Sequence, residues 1–318
     1  MRAVAWIASA LAAAAMIAGM WWATRPAGVH LANAPAAASS ASERLPKVAP
    51  VAAPTTGPLA DVAARVEAQA AEKPSADFTA RREALARRTR NGDVDAAGEL
   101  GDLLLTCDGY VDLGDDDVET MLVEGLALFG NEALQIPAGA PLDAIVDSTK
   151  REMARMRATC AGSHGLALSS GERRDAFDML HRGAQAGIRE AMINFAHFAF
   201  EDFADAREML AHPERVRERK REVRGYVERA IAAGEIEALS AAADAYYSGS
   251  FLEKSSLLAY AHLYAYARAK GGDAAVARDY AGDLALYGAG LTPEQLADAR
   301  HRGDALYAAC CAAKGGAP

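Results

Sequence analysis

Four cysteines are the residues of this 318-residue chain with the clearest capacity for covalent chemistry. Cys107 ends one predicted helix and Cys160 ends another, so neighbouring helices would bring the two thiols together. In an oxidising compartment we expect a Cys107–Cys160 disulfide that closes a loop of about 50 residues, with two buried free cysteines as the alternative. A bond between the adjacent Cys310 and Cys311 is strained, so we expect one of them to be core on the last helix. An intermolecular bridge and a metal thiolate are the alternatives for this pair.

The histidines and acidic residues form no recognised metal or catalytic motif. The sequence holds no HExxH, GxSxG, SxxK or glycine-rich phosphate loop, and no two histidines lie three or four residues apart. His197 and Glu201 share a helix face, but two ligands do not make a zinc site. We therefore predict no metal and no cofactor. The enzymatic alternative is an envelope hydrolase in which an acid such as Glu201 or Asp244 lines a groove, and it requires a second titratable group brought close by the fold.

Two charged segments invite a functional interpretation. The acidic segment at residues 108–119 lacks the residue order of a calcium-binding EF-hand loop, so we expect a solvated, helix-capping turn, with a calcium site as the alternative. Residues 213–229 mix arginines with glutamates, which is typical of a solvated helix face; the alternative is a basic ridge that meets an anionic partner. A net charge of −9 disfavours nucleic acid as a partner.

The elements that must position these residues are best defined at residues 227–290. Ala238, Ala242 and Ala245 lie on one face of a predicted helix, at three- and four-residue steps, and a Ser-Gly-Ser turn follows. The next predicted helix ends at Gly271 and Gly272. Because no alternating strand pattern exceeds four residues, the sequence predicts an all-α fold of helical hairpins.

A glycine followed four residues later by alanine recurs where helices begin. The junctions at Gly187, Gly234 and Gly271 are separated by 47 and 37 residues, but 95 residues separate Gly92 from Gly187. The segments AxxxAxxAYYSGS and AYAHLYAYARAKGGDA resemble the Sel-one-like repeats, relatives of the tetratricopeptide repeat. The resemblance covers about residues 228–311, more faintly 175–200 and 84–105, and SGSFLEKS replaces the usual Gly-x-Gly-Val-x-x-Asp loop. It implies an α-solenoid of stacked helical hairpins that serves as a scaffold or adaptor.

Stacked hairpins of this kind leave a concave face formed by the first helix of each pair. We expect a protein or peptide partner to bind there, and tyrosine is favoured at such contacts because it combines apolar area with a polar tip. Core packing between helices is the alternative for each candidate. The predicted partner-binding residues are Asn194, His197, Tyr246, Tyr247, Tyr260 and Tyr264.

The N-terminal quarter of the chain predicts a membrane connection. Residues 3–23 carry no charge, are long enough to cross a bilayer and have tryptophans near both ends. We expect a transmembrane anchor over 1–24, with a cleaved signal segment as the alternative, then a Pro/Ala-rich linker over 25–75 in which a short helix is possible at 59–71, and a helical repeat domain over 76–318.

The sequence thus predicts a single-pass inner-membrane protein whose C-terminal domain is a periplasmic scaffold or adaptor for a protein or peptide partner. The alternatives are the envelope hydrolase and a secreted or periplasmic helical-repeat protein released by signal cleavage.

Overall fold

The computed structural model describes residues 57–133, 141–203 and 205–311, and within these ranges the regular structure is entirely α-helical. The all-α prediction is therefore confirmed for this part of the chain. Most of the linker and the segment at residues 3–23 lie outside it. The helices are α1 Pro58–Ala70, α2 Ala76–Arg90, α3 Val94–Cys107, α4 Asp115–Ala133, α5 Leu142–Thr159, α6 Ser170–Gln185, α7 Arg189–Phe198, α8 Ala206–Ala211, α9 Pro213–Ala232, α10 Glu237–Ser248, α11 Ser256–Arg278, α12 Ala281–Tyr287 and α13 Pro293–Cys310.

Local sequence signals set several of these helix ends. Ser169 with Glu172, at the start of α6, and Thr292 with Gln295, at the start of α13, form reciprocal capping boxes that satisfy backbone N–H groups. Gly249 ends α10 in the left-handed conformation, where a side chain would be strained. The backbone of α11 leaves helical geometry at Gly271 and Gly272, the point at which the sequence predicts the helix to end.

Three helices that begin just after glycine junctions, α3, α7 and α10, each pack against a later helix. The pairs are α3 with α6, α7 with α9, and α10 with α11, and each pair also contacts the next. Helices α3 and α6 approach closely because both carry glycine at the contact. A Cβ atom added to Gly101 would lie 2.5 Å from the backbone nitrogen of Leu180, and one added to Gly183 would lie 2.9 Å from the Cα of Gly98.

The 95 residues that separate the glycine junctions at Gly92 and Gly187 have a structural explanation. Helices α4 and α5 are inserted between α3 and α6, and α5 packs against α12 far along the chain. Arg151 on α5 pairs with Asp283 on α12 at 2.6 Å, and Gly282 accommodates the close approach of Ala144. Helix α5 therefore contacts α3 and α4 as well as the late helix α12, and we call it the strut.

The predicted Cys107–Cys160 disulfide is present and ties the end of α5 to the end of α3, with 5.3 Å between the Cα atoms. Both cysteines are fully buried. Cys311 is also buried, as expected for one member of the C-terminal pair. The structure joins it to Cys310 in a disulfide, which corrects the expectation that these adjacent cysteines would not bond to each other. The short helix that the sequence allows at residues 59–71 is α1, which buries Leu59, Val62 and Val66.

No helix within the described ranges is long and apolar enough to cross a membrane. The longest, α11, carries Arg268, Lys270 and Asp273 along its length, and these charges have no place in a hydrocarbon core. This finding corrects the predicted single-pass inner-membrane placement and the membrane contact. Residues 3–23, from which that placement was inferred, lie outside the described part of the chain.

Candidate functional site

A groove of about 480 Å³ runs between the strut α5 and the three helices that follow glycine junctions, α3, α7 and α10. Each of these helices contributes side chains to the lining. Ile193 and Asn194 come from α7, and Ser240 and Asp244 from α10. The groove therefore depends on both the hairpin stacking and the inserted strut.

A smaller pocket of about 130 Å³ adjoins the groove on the side of α12. The two cavities share lining residues on α5 and α10, so they are adjacent. The shared residues are Glu152, Arg155, Met156, Ser240 and Asp244.

The groove is acidic. Its basic residues are Arg155 and Arg173, and the carboxylates outnumber them. Such a surface favours cationic partners. The carboxylates that line the groove are Asp102, Asp108, Glu152, Glu201, Glu237 and Asp244.

Burial changes the protonation of several of these groups. The pKa of Asp102 rises to about 6, because the α3 environment desolvates the carboxylate; hydrogen bonds from Thr106 and Asn194 oppose this shift. Burial also raises the pKa of Glu152, against the opposing charge of Arg155, and Asp244 and Asp283 act in the same direction as burial. The pKa of Glu201 is raised by burial as well, although Arg173 opposes the shift.

One end of the groove is held by Arg173, which lies near the start of α6. Its guanidinium pairs with the carboxylate of Asp108 and reaches Glu201 at 3.5 Å. Asp108 also accepts a hydrogen bond from the backbone nitrogen of Leu168, at 2.8 Å. The first acid of the segment at 108–119 is thus a structural anchor. Most of the others lie in the loop before α4 or in its acidic first turn, as predicted for a helix-capping turn.

Two of the six predicted partner-binding residues line the groove. Asn194 is half-buried on α7, and His197, one turn further on, is exposed. The four tyrosines do not line the groove; Tyr247 and Tyr260 are buried, and Tyr246 and Tyr264 are half-buried. Tyr247 stacks on Tyr287 at 4.5 Å, the Tyr246 ring lies 5.0 Å from that of His262, Tyr260 is 4% exposed, and Tyr264 packs against Gly303.

Both acids named for the enzymatic alternative, Glu201 and Asp244, line the groove. The sequence patterns did not identify Asp102 or Glu152, which also line it. A signal exists for Asp102, which is a lone acid inside the apolar run of α3. No local signal exists for Glu152, because only the crossing of α5 over the array brings it to the groove.

The chemistry available in the groove is that of carboxylates, two guanidinium groups, the imidazole of His197 and the phenol of Tyr110 beside apolar surface. Within the residues that the structure describes, no group of three or more His, Cys, Asp or Glu side chains is arranged to hold a metal ion. We therefore infer the function of the groove from its shape and from the charged side chains that line it. Comparison with protein-family models and with curated proteins finds no match for this chain.

Proposed function

We propose that this chain is a scaffold or adaptor of the Sel-one-like repeat type, which binds an extended segment of a partner protein in the groove between α5 and helices α3, α7 and α10. The observation that carries this proposal is the groove itself, which is lined by the first helix of three successive hairpins. Helical-repeat proteins present binding surfaces on the face formed by equivalent helices. The repeats here are an irregular array, interrupted once by the inserted helices α4 and α5.

The lining of the groove supports a peptide as the occupant. The half-buried side chains of Phe198 and Phe200 line it together with carboxylates and the amide of Asn194. Apolar area supplies affinity, and a few placed polar groups fix the register of a bound chain. The excess of carboxylates favours a segment that carries positive charge.

The test is selection of peptides from a displayed random library on the full-length protein. Enriched peptides are then titrated against the wild type, Asn194→Ala and His197→Ala. His301→Ala is the matched control, since His301 is equally exposed but lies on α13, away from the groove. We expect enriched peptides to be basic and to bind the two groove variants several-fold more weakly. Equal affinity for all four proteins, or an absence of enrichment, would refute the proposal.

A hydrolase is the second candidate, because the pKa of Glu201 is raised by burial and Glu201 lines the same groove as Asp244. A protonated acid near an ionised carboxylate is the arrangement that acid–base hydrolysis requires. Mass spectrometry of an enriched peptide after incubation with the protein distinguishes the two functions. Cleavage that is lost in Glu201→Gln would favour the enzyme, and an intact peptide favours the scaffold.

A further inference from the structure

The smaller pocket beside the groove combines aromatic rings with carboxylates. At about 130 Å³ it has room for one small chemical group rather than for a length of peptide. Its apolar floor includes Leu263 and Leu286. The aromatic and acidic residues that line it are Tyr266, Tyr280, Tyr287, Glu152, Asp244 and Asp283.

The tyrosines form two walls of this pocket. Tyr266 and Tyr280 meet edge to face, with ring centroids 5.5 Å apart and an angle of 80° between the ring planes. The Tyr266 hydroxyl donates to Glu237 Oε2 at 3.0 Å, which restrains the position of that phenol. The Tyr287 hydroxyl donates to Asp244. Lys270 Nζ already lies 5.4 Å from the centroid of the Tyr266 ring, and Tyr247 stacks on the Tyr287 ring, so Tyr280 is the ring to test for an added cation. An aromatic face attracts a cation through the quadrupole of the ring.

The carboxylates are incompletely neutralised. Asp283 is 7% exposed; its Oδ2 pairs with Arg151 at 2.6 Å, while its Oδ1 has no hydrogen-bond partner. Glu152 pairs at 3.3 Å with Arg155 on its own helix, and the Arg155 side chain is 55% exposed. Asp244 accepts from a neutral phenol. Three carboxylates thus face two arginines, and a buried acceptor without a donor is costly unless a ligand supplies one.

We propose that this pocket binds a primary alkylammonium group, supplied by a lysine side chain of the segment bound in the groove. The source of the lysine, a bound partner segment, rests on the proposed function. The preference of the pocket for an ammonium group is argued only from the residues that line it. A primary ammonium carries N–H donors for the unpartnered oxygen of Asp283, which a quaternary ammonium lacks. Its head is compact enough for the volume, its alkyl stem would pack against the leucines, and its charge would lie near the Tyr280 ring.

The pocket is tested first with small probes on the full-length protein. Pentylammonium chloride and tetramethylammonium chloride are titrated by isothermal calorimetry. We expect pentylammonium to bind about tenfold more tightly, and Glu152→Gln to weaken it about tenfold, as loss of one charge-assisted contact implies. Glu83→Gln is the matched control, because Glu83 forms a similar intrahelical pair with Arg87 on the distant α2. Equal binding of both probes, or an unchanged affinity in Glu152→Gln, would overturn the proposal.

Ring variants test the aromatic walls separately. Tyr280→Leu should weaken pentylammonium binding several-fold, and Tyr280→Phe should restore most of it, because the phenyl ring keeps the aromatic face. If Tyr280→Leu and Tyr280→Phe bind pentylammonium equally well, the ring makes no contribution and the proposed contact between the ammonium and the aromatic ring is wrong. Circular dichroism of each variant confirms that the helices are intact.

A peptide pair separates this inference from the proposed function. A peptide enriched on the groove is compared with its analogue in which norleucine replaces each lysine, and the proposal predicts loss of affinity on replacement. If the analogue binds equally well, the lysine pocket is wrong and the peptide-binding function stands. If no peptide binds but pentylammonium does so in a Glu152-dependent manner, the pocket takes a free amine and the proposed function is wrong.

Discussion

The close contact between α3 and α6 makes an unusual prediction for Gly101→Ala. In an exposed helix this change stabilises by about 1 kcal/mol, because alanine has the higher helix propensity. Here the new Cβ would lie 2.5 Å from the backbone nitrogen of Leu180 and would also collide with the carbonyl oxygen of Ala176. The two helices would have to separate by roughly 1 Å, and overpacking of this kind costs about 3 kcal/mol at the upper end of its range. We expect a net loss of about 2 kcal/mol in the free energy of unfolding.

Urea unfolding followed by circular dichroism measures this change, and the matched control is Gly225→Ala. Gly225 lies inside α9, where an added Cβ would come no closer than 3.5 Å to Arg229 Nη1, an ordinary contact. The control should therefore gain about 1 kcal/mol, so the two variants move the urea midpoint in opposite directions. If Gly101→Ala is as stable as the wild type or more stable, α3 and α6 do not pack as described, and the hairpin across the insertion is wrong.

Three further predictions concern the disulfide, the groove and the tyrosines. Replacing Cys107 and Cys160 together by alanine should lower the free energy of unfolding by about 4 kcal/mol, the chain-entropy value for a separation of 53 residues, and an unchanged urea midpoint would contradict it. The Asp102 carboxyl, followed by NMR, should titrate near pH 6. Because this folded-state pKa exceeds the ordinary 3.8, the contribution of Asp102 to stability is full below about pH 4 and is lost as the pH rises through 6. A titration midpoint near pH 4 would show that the carboxyl is not buried. Because Tyr260 is buried in the core, Tyr260→Ala should lower the free energy of unfolding, measured by thermal or urea unfolding, by about 3 kcal/mol. Unchanged stability would indicate that Tyr260 is a surface residue.

The helices and their ends follow largely from local sequence signals. Glu172 and Gln295 complete capping boxes three residues after Ser169 and Thr292, and glycine marks the ends of α10 and of the first part of α11. These signals act within a single helical turn, so they do not depend on contacts with the rest of the chain. The Cys107–Cys160 bond was predictable for a related reason, since each cysteine ends a helix.

The groove was only partly predictable, because it depends on contacts between distant parts of the chain. The alanine and glycine pattern indicates which helix faces pair, and it led to Asn194 and His197. It does not indicate that α5 crosses the array, which alone brings Glu152 opposite Asp244. The tyrosines pose a different problem. A tyrosine on a helix face is equally suited to a binding surface and to a helix–helix contact, and only the burial of Tyr247 and Tyr260 favours the second.

The most direct test of peptide binding in the groove is site-specific photocrosslinking in the cells that make the protein. A benzophenone amino acid replaces His197 in one variant and His301 in the other, both exposed positions on the helical array. Our account predicts that position 197 forms a covalent adduct with a defined, lysine-containing segment of a partner, identified by mass spectrometry, and that position 301 does not. Adducts to the same partner segment from position 301, or a partner captured without any adduct at 197, would contradict binding in the groove.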